Sequence, residues 1–126
     1  MPMPKKILVI DDDPLVLRTL THLLERNGYS LETAKNGVEG IKKTENDRFD
    51  LIICDIRMPE VDGIAAIRKI KENATVGKGS ECPVIFVTGY ASEEAPIEAI
   101  KLSAKDYLLK PFDLDELITS VKSQIG

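Results

Sequence analysis

The sequence predicts an α/β fold in which a five-stranded parallel sheet is doubly wound, with helices on both faces. Short β-like runs alternate five times with segments whose apolar residues recur at helical spacing. The strands are predicted near residues 6–10, 30–34, 50–54, 83–88 and 105–108. Two of these runs lead directly into aspartates, at the sheet edge where ligands bind in this fold class. We expect residues 1–126 to form one domain.

Each predicted helix except the fourth has a polar residue at its start that can cap it. Such side chains accept hydrogen bonds from the free backbone N–H groups of the first turn, and they are Asp13, Asn36, Asp62 and Asp113. Pro14 suits the first turn of the first helix because its missing N–H costs nothing there, and Asn27-Gly28 ends that helix. The apolar residues predicted to face the sheet are Val16, Leu20, Leu23, Leu24, Val38, Ile41, Ile64, Ile67, Ile70, Leu114, Leu117, Ile118 and Val121.

The segment between the third and fifth helices departs from this regular pattern. Residues 73–80 are polar and contain glycine, so we predict a flexible loop before the fourth strand. Pro96 falls inside the predicted fourth helix, and proline is tolerated there only in the first turn. That helix is therefore predicted to start late or to have a frayed first turn.

Composition and charge argue against several classes of protein. The net charge of −4 provides no basic face for nucleic acid, so no direct contact with DNA or RNA is expected. No apolar run approaches the roughly 20 residues of a membrane span, and the amino-terminal residues lead into a strand rather than a signal-peptide core. A cytoplasmic protein without membrane contact is the simplest interpretation. Cys54 and Cys82 are predicted to be small buried thiols rather than a disulfide pair.

A group of carboxylates is the strongest functional signal. Asp11 and Asp12 follow the first strand and Asp55 follows the third. In the strand order 2-1-3-4-5 the first and third strands are neighbours, so the three acids are predicted to share one crevice. Closely packed carboxylates repel, so the crevice either retains protons or binds a hard cation through oxygen. Mg²⁺ fits an open crevice better than Ca²⁺ because it keeps several waters and uses few carboxylates.

Two further strand ends add a hydroxyl and an ammonium group. Thr88 ends the fourth predicted strand, and Lys110 follows the fifth and precedes Pro111. A lysine beside carboxylates and a metal supplies positive charge to a phosphoryl group, and a threonine supplies a donor. Aspartate acts as a nucleophile toward phosphorus when it is positioned and its charge is neutralised. These residue types together indicate phosphoryl chemistry.

The acid pair, the aspartate before Met-Pro-x-x-Asp-Gly, the threonine, an aromatic and the Lys-Pro pair resemble the receiver domain of two-component response regulators. The resemblance covers essentially the whole chain. It implies a flavodoxin-like (βα)5 fold and a switch that is phosphorylated on Asp55. It further implies that Asp12 is a direct Mg²⁺ ligand, that Asp11 acts largely through water, and that Arg57 lends its backbone carbonyl.

The same resemblance identifies the residues of a conformational switch and those that set how fast the aspartyl phosphate is hydrolysed. Thr88 and Tyr107 match the switch pair, in which the threonine moves to the phosphoryl oxygen and the aromatic ring turns inward. Lys110 matches the lysine that contacts the phosphoryl group. The implied output is a change in the face formed by the fourth helix, fifth strand and fifth helix. Arg57 and Tyr90 occupy positions that tune hydrolysis of the aspartyl phosphate, and both are bulky, so a long-lived phosphoryl group is expected.

The resemblance also implies partners. A sensor histidine kinase or a phosphotransfer protein would supply the phosphoryl group, and a downstream output domain or protein would read it. The domain would catalyse its own phosphorylation and slow dephosphorylation without being a dedicated enzyme. Phosphorylation-dependent dimerisation is common in such domains. The sequence is compatible with a stand-alone regulator and with a receiver from a longer protein.

Three other classes account less well for these residues. A phosphatase with a nucleophilic aspartate usually carries a second aspartate two residues later, where this chain has Arg57. A dinucleotide or flavin binder would carry a glycine-rich loop after the first strand, but Asp11-Asp12-Asp13 would repel its phosphate. A purely structural interaction module gives no reason for the acids.

Overall fold

The computed structural model describes residues 4–75, 82–88, 106–109 and 113–126. Within these ranges the elements, in chain order, are β1 (Lys6–Ile10), α1 (Pro14–Arg26), β2 (Ser30–Ala34), α2 (Gly37–Asn46), β3 (Leu51–Asp55), α3 (Gly63–Thr75), β4 (Val84–Thr88), β5 (Asp106–Leu109) and a C-terminal helix (Leu114–Ile125). Each strand starts and ends within one residue of its predicted position.

The strands form one parallel sheet. β1 pairs with β2 on one side and β3 on the other, and β4 pairs with β3, so the order 2-1-3-4 confirms the prediction. β5 pairs with β4 at the far edge. Ile10 stands opposite Cys54 in the register of β1 and β3. The residues that follow, Asp11 and Asp55, therefore reach the same edge of the sheet, at the point where the strand order reverses.

Side chains of the strands alternate between two apolar layers. In β1, Ile7 and Val9 belong to the layer that includes residues of α1 and the C-terminal helix. Leu8 and Ile10 belong to the opposite layer, which includes Ile67 of α3. Since both faces of the sheet are covered, the central strands are apolar at nearly every position.

The predicted helix caps are confirmed. Two apolar residues that were predicted to face the sheet are instead exposed. Side-chain oxygens of Asp13, Asn36, Asp62 and Asp113 accept hydrogen bonds from first-turn N–H groups at 2.8–2.9 Å. Val38 and Leu114 are each 41% exposed. Both lie in the first turn of a helix, where Cα–Cβ bonds tilt toward the amino terminus and carry the side chain past the helix start.

The predicted start of the loop at residues 73–80 was wrong. α3 continues through Thr75, since the first glycine of this stretch is Gly77 and no earlier residue in it breaks a helix. The rest of that loop, and the predicted fourth helix with Pro96, lie outside the described residues. No helix in the described ranges is long and apolar enough to cross a membrane.

Candidate functional site

Three carboxylates converge at the carboxyl edge of β1 and β3. One ligand oxygen from each of Asp11, Asp12 and Asp55 lies within 4.8 Å of the others. Asp11 is fully buried and Asp55 is 5% exposed, whereas Asp12 is open to solvent. The prediction that these acids share one crevice is confirmed. The crevice therefore has two carboxyl groups in poorly hydrated positions and a third that is open to solvent.

The turn between β1 and α1 is fixed by its own acids. The Asp13 N–H donates to Oδ1 of Asp11 at 2.9 Å, and the Asp11 N–H donates to the Ala34 carbonyl at 3.0 Å. Oδ1 of Asp13 in turn accepts from the Leu15 N–H at 2.9 Å. Asp13 is therefore the helix cap that the sequence predicts, and Asp11 and Asp12 remain as the acids of the crevice.

The loop between β3 and α3 folds back tightly over the end of β3. The Gly63 N–H donates to the Ile56 carbonyl at 2.8 Å, and Asp62 caps α3 through the Ala65 N–H. A Cβ at residue 63 would lie well inside contact distance of the Asp55 carbonyl oxygen and 2.9 Å from Cα of Ile56. Only glycine allows this approach, which gives the Asp-Gly pair of the sequence motif a physical reason.

The same loop also packs against the start of α2. A Cβ on Gly37 would lie 2.8 Å from the Val61 carbonyl oxygen and 3.0 Å from Cγ1 of Val61. Between this loop and α2 lies a groove of about 560 Å³. Its lining includes Asp12, Val38, Pro59, Glu60 and Val61. Sequence reasoning missed the groove because it assigned Val38 to the core.

Both cysteines are free thiols, as predicted, but only Cys54 is buried and Cys82 is half-buried. Cys54 is fully buried, and its Sγ lies 3.3 Å from the Asp55 carbonyl oxygen. Burial, followed by the nearby carboxylates of Asp55, Asp11 and Asp62, raises the pKa of the Cys54 thiol well above its ordinary value. Burial also raises the pKa of Cys82 to about 12. Both therefore stay neutral at physiological pH.

The predicted switch residues are placed by the backbone of β4 and β5. Val87 stands opposite Asp55 in the register, so Thr88 ends β4 one residue beyond it at the carboxyl edge. Tyr107 stands opposite Phe86 in β5. The sheet thus brings Thr88 to the same edge as the acids. Side-chain roles for Thr88 and Tyr107 stay predictions.

The remaining predicted site residues divide in two groups. Arg57 is exposed in the loop that follows β3. Tyr90 and Lys110 lie outside the described residues, so their roles also stay predictions.

The chain matches the response regulator receiver domain family over residues 7–122 and belongs to that family. Transcriptional regulatory protein ZraR of Klebsiella oxytoca is 42% identical over 112 residues, which cover 88% of this chain and 24% of ZraR. The chain therefore spans about a quarter of that relative's length. Membership makes the domain a signalling switch rather than a dedicated enzyme.

Two similar solved structures contain magnesium. Response regulator TrrA from Thermotoga maritima, in complex with Mg²⁺-BeF, has a TM-score of 0.84 and 32% identity over 96% of this chain and 99% of TrrA. The receiver domain of sensor histidine kinase PA1611 from Pseudomonas aeruginosa PAO1 carries a magnesium ion in its active site cleft. It has a TM-score of 0.85 and 28% identity over 98% of both chains. Both have the flavodoxin-like fold seen here.

Proposed function

We propose that residues 1–126 act as one receiver domain that accepts a phosphoryl group on Asp55 with the help of Mg²⁺. The observation that carries the proposal is the convergence of Asp11, Asp12 and Asp55 within 4.8 Å at the switch point of the sheet. Family membership makes aspartyl phosphorylation the chemistry that best accounts for this cluster.

The three side chains fit a hard divalent cation. All donors are carboxylate oxygens, and the nearly complete burial of Asp11 and Asp55 makes their mutual repulsion costly unless a cation offsets it. We assign Asp12 and Asp55 as direct ligands, Asp11 as a ligand acting largely through water, and the backbone carbonyl of Arg57 as a further ligand. When bound, Mg²⁺ would stabilise negative charge on the phosphoryl oxygens.

Asp55 is the nucleophile in this proposal. Its carboxylate oxygen attacks the phosphorus of a phosphohistidine; the new O–P bond forms as the P–N bond breaks, and the imidazole leaves with the electron pair. Lys110 contacts the phosphoryl group and offsets its charge. A sensor histidine kinase or a phosphotransfer protein would be the donor.

The output is a shift between two conformations of the domain. A covalent phosphate shifts such an equilibrium only through contacts that differ between the two states. We assign those contacts to Thr88 and Lys110, with Tyr107 following the movement of Thr88. An output domain or a separate protein would bind the altered face formed by the fourth helix, fifth strand and fifth helix. Phosphorylation-dependent dimerisation through this face would be one such interaction.

Intact mass after incubation with acetyl phosphate tests the proposal directly. The wild type is expected to gain one phosphoryl group with Mg²⁺ and none after chelation. Asp55→Asn should gain none in either condition, because an amide cannot form the acyl phosphate. Equal labelling of Asp55→Asn and wild type would overturn the assignment of the nucleophile.

Replacement of Arg57 and Tyr90 by alanine is expected to shorten the lifetime of the phosphoryl group. Hydrolysis needs a water molecule to attack phosphorus as the bond between the Asp55 carboxylate oxygen and phosphorus breaks, and bulky side chains at these two positions of the family pattern would obstruct it. The measurement is the rate of loss of the added mass after the phosphodonor is removed. Arg48→Ala, an exposed arginine before β3, serves as the control. Equal rates in the double variant and wild type would contradict the obstruction.

A further inference from the structure

Glu60 adopts a backbone conformation that does not suit its side chain. Its φ is 67°, and among the described residues no other non-glycine residue has a positive φ. The Val61 N–H donates to the Pro59 carbonyl at 2.9 Å across it. A three-residue turn with a positive φ at its centre is the rarer, strained form of the γ-turn. Glycine would adopt this conformation without strain.

Contacts on both sides keep the turn in place. Val61 packs against Gly37 at the start of α2, and the Gly63 N–H bonds to the Ile56 carbonyl. Strained residues persist where the surrounding structure over-determines them, and they concentrate at ligand clamps. These contacts therefore hold Glu60 in a fixed place relative to the crevice.

Glu60 lines the same groove as Asp12. Within residues 4–75, 82–88, 106–109 and 113–126, no lysine or arginine lies within 4 Å of the Glu60 carboxylate, including Lys35 and Lys42 of the same groove. Glu39, a third acid of the groove, instead has Nζ of Lys43 at 4.0 Å. Among the described residues, Glu60 thus has no ion-pair partner in the groove that it shares with Asp12.

We propose that Glu60 is a positioning residue for the divalent metal, with its carboxylate accepting hydrogen bonds from water molecules bound to the ion. The inference rests on the proposed function. Mg²⁺ keeps several of its waters when it binds to a few carboxylates, and those waters need acceptors around them. Such outer contacts tune metal affinity. The groove beside Asp12 gives these waters room.

Calorimetric titration of the unphosphorylated chain with Mg²⁺ alone tests this role. Glu60→Gln keeps the side-chain length and one acceptor oxygen but removes the charge, and it is expected to weaken Mg²⁺ binding by about tenfold. Glu60→Gly accepts the positive φ while it removes the carboxylate and both acceptor oxygens, and it should weaken binding at least as much. Glu25→Gln is the matched control, since it removes one exposed charge in the last turn of α1, at the opposite end of the sheet.

The outcomes separate this inference from the proposed function. Wild-type affinity in Glu60→Gly, or an equal loss in Glu25→Gln, overturns the role of the Glu60 carboxylate alone. A smaller loss in Glu60→Gln than in Glu60→Gly supports it, because the amide oxygen still accepts hydrogen bonds from water. Absence of saturable Mg²⁺ binding to the wild type overturns the proposed function together with the inference.

Discussion

Gly63→Ala is expected to lower the free energy of unfolding by about 3 kcal/mol or more. The added Cβ would collide with the Asp55 carbonyl and approach Cα of Ile56 to 2.9 Å. Backbone atoms cannot move aside as a flexible side chain would, so the loop must open and the Gly63–Ile56 hydrogen bond must lengthen. Because the displaced backbone carries Asp55, Mg²⁺ binding should weaken as well. Chemical denaturation and calorimetry measure the two effects.

Gly28→Ala is the matched control for this substitution. Gly28 has a φ of 91° but nothing within 4 Å of an added Cβ. Alanine there should cost only about 1 kcal/mol, the penalty of the left-handed conformation, and leave Mg²⁺ binding unchanged. Equal destabilisation by the two substitutions would contradict the clash at Asp55, because Gly63 itself has no positive φ that alanine would strain.

Mg²⁺ is expected to stabilise the fold, and Asp12→Asn should remove most of this effect. A ligand at 100 times its Kd that binds only the folded state raises the free energy of unfolding by about 2.7 kcal/mol. Asp12 is exposed, so its replacement by asparagine should disturb the fold itself very little. The measurement is the free energy of unfolding with saturating Mg²⁺ minus that with chelator, for each protein.

Arg57→Ala provides the control for the metal effect. The proposed ligand at this position is the backbone carbonyl, which alanine retains, so the Mg²⁺-dependent difference should stay at its wild-type value. If the Mg²⁺-dependent difference in the free energy of unfolding is as large in Asp12→Asn as in the wild type, Asp12 does not bind the ion. Loss of the difference in Arg57→Ala would show that the arginine side chain takes part.

Local patterns were enough to predict the elements that place the acids. The central strands are short apolar runs, and each confirmed cap is a side chain that bonds to its own first turn, so neither depends on distant residues. The convergence of Asp11 and Asp55 also followed from sequence, because neighbouring parallel strands end at one edge. The resemblance to receiver domains identified the family before the fold was described.

Features that depend on how two elements meet were not predictable in this way. The exposure of Val38 follows from its place in the first turn of α2, although its apolar character suggested core. The strained turn at Glu60 gives no signal in sequence, since glutamate is not a residue that a positive φ selects.

The sequence by itself determined the strands, the helix caps, the acidic crevice and the family, because each rests on residue type, on short-range spacing or on the usual strand order of this fold class. The tertiary structure alone decided the groove beside Asp12, the approach of Gly63 to Asp55 and the position of Glu60. These features arise where the β3–α3 loop closes onto β3 and α2, and such closure depends on packing between segments distant in the chain.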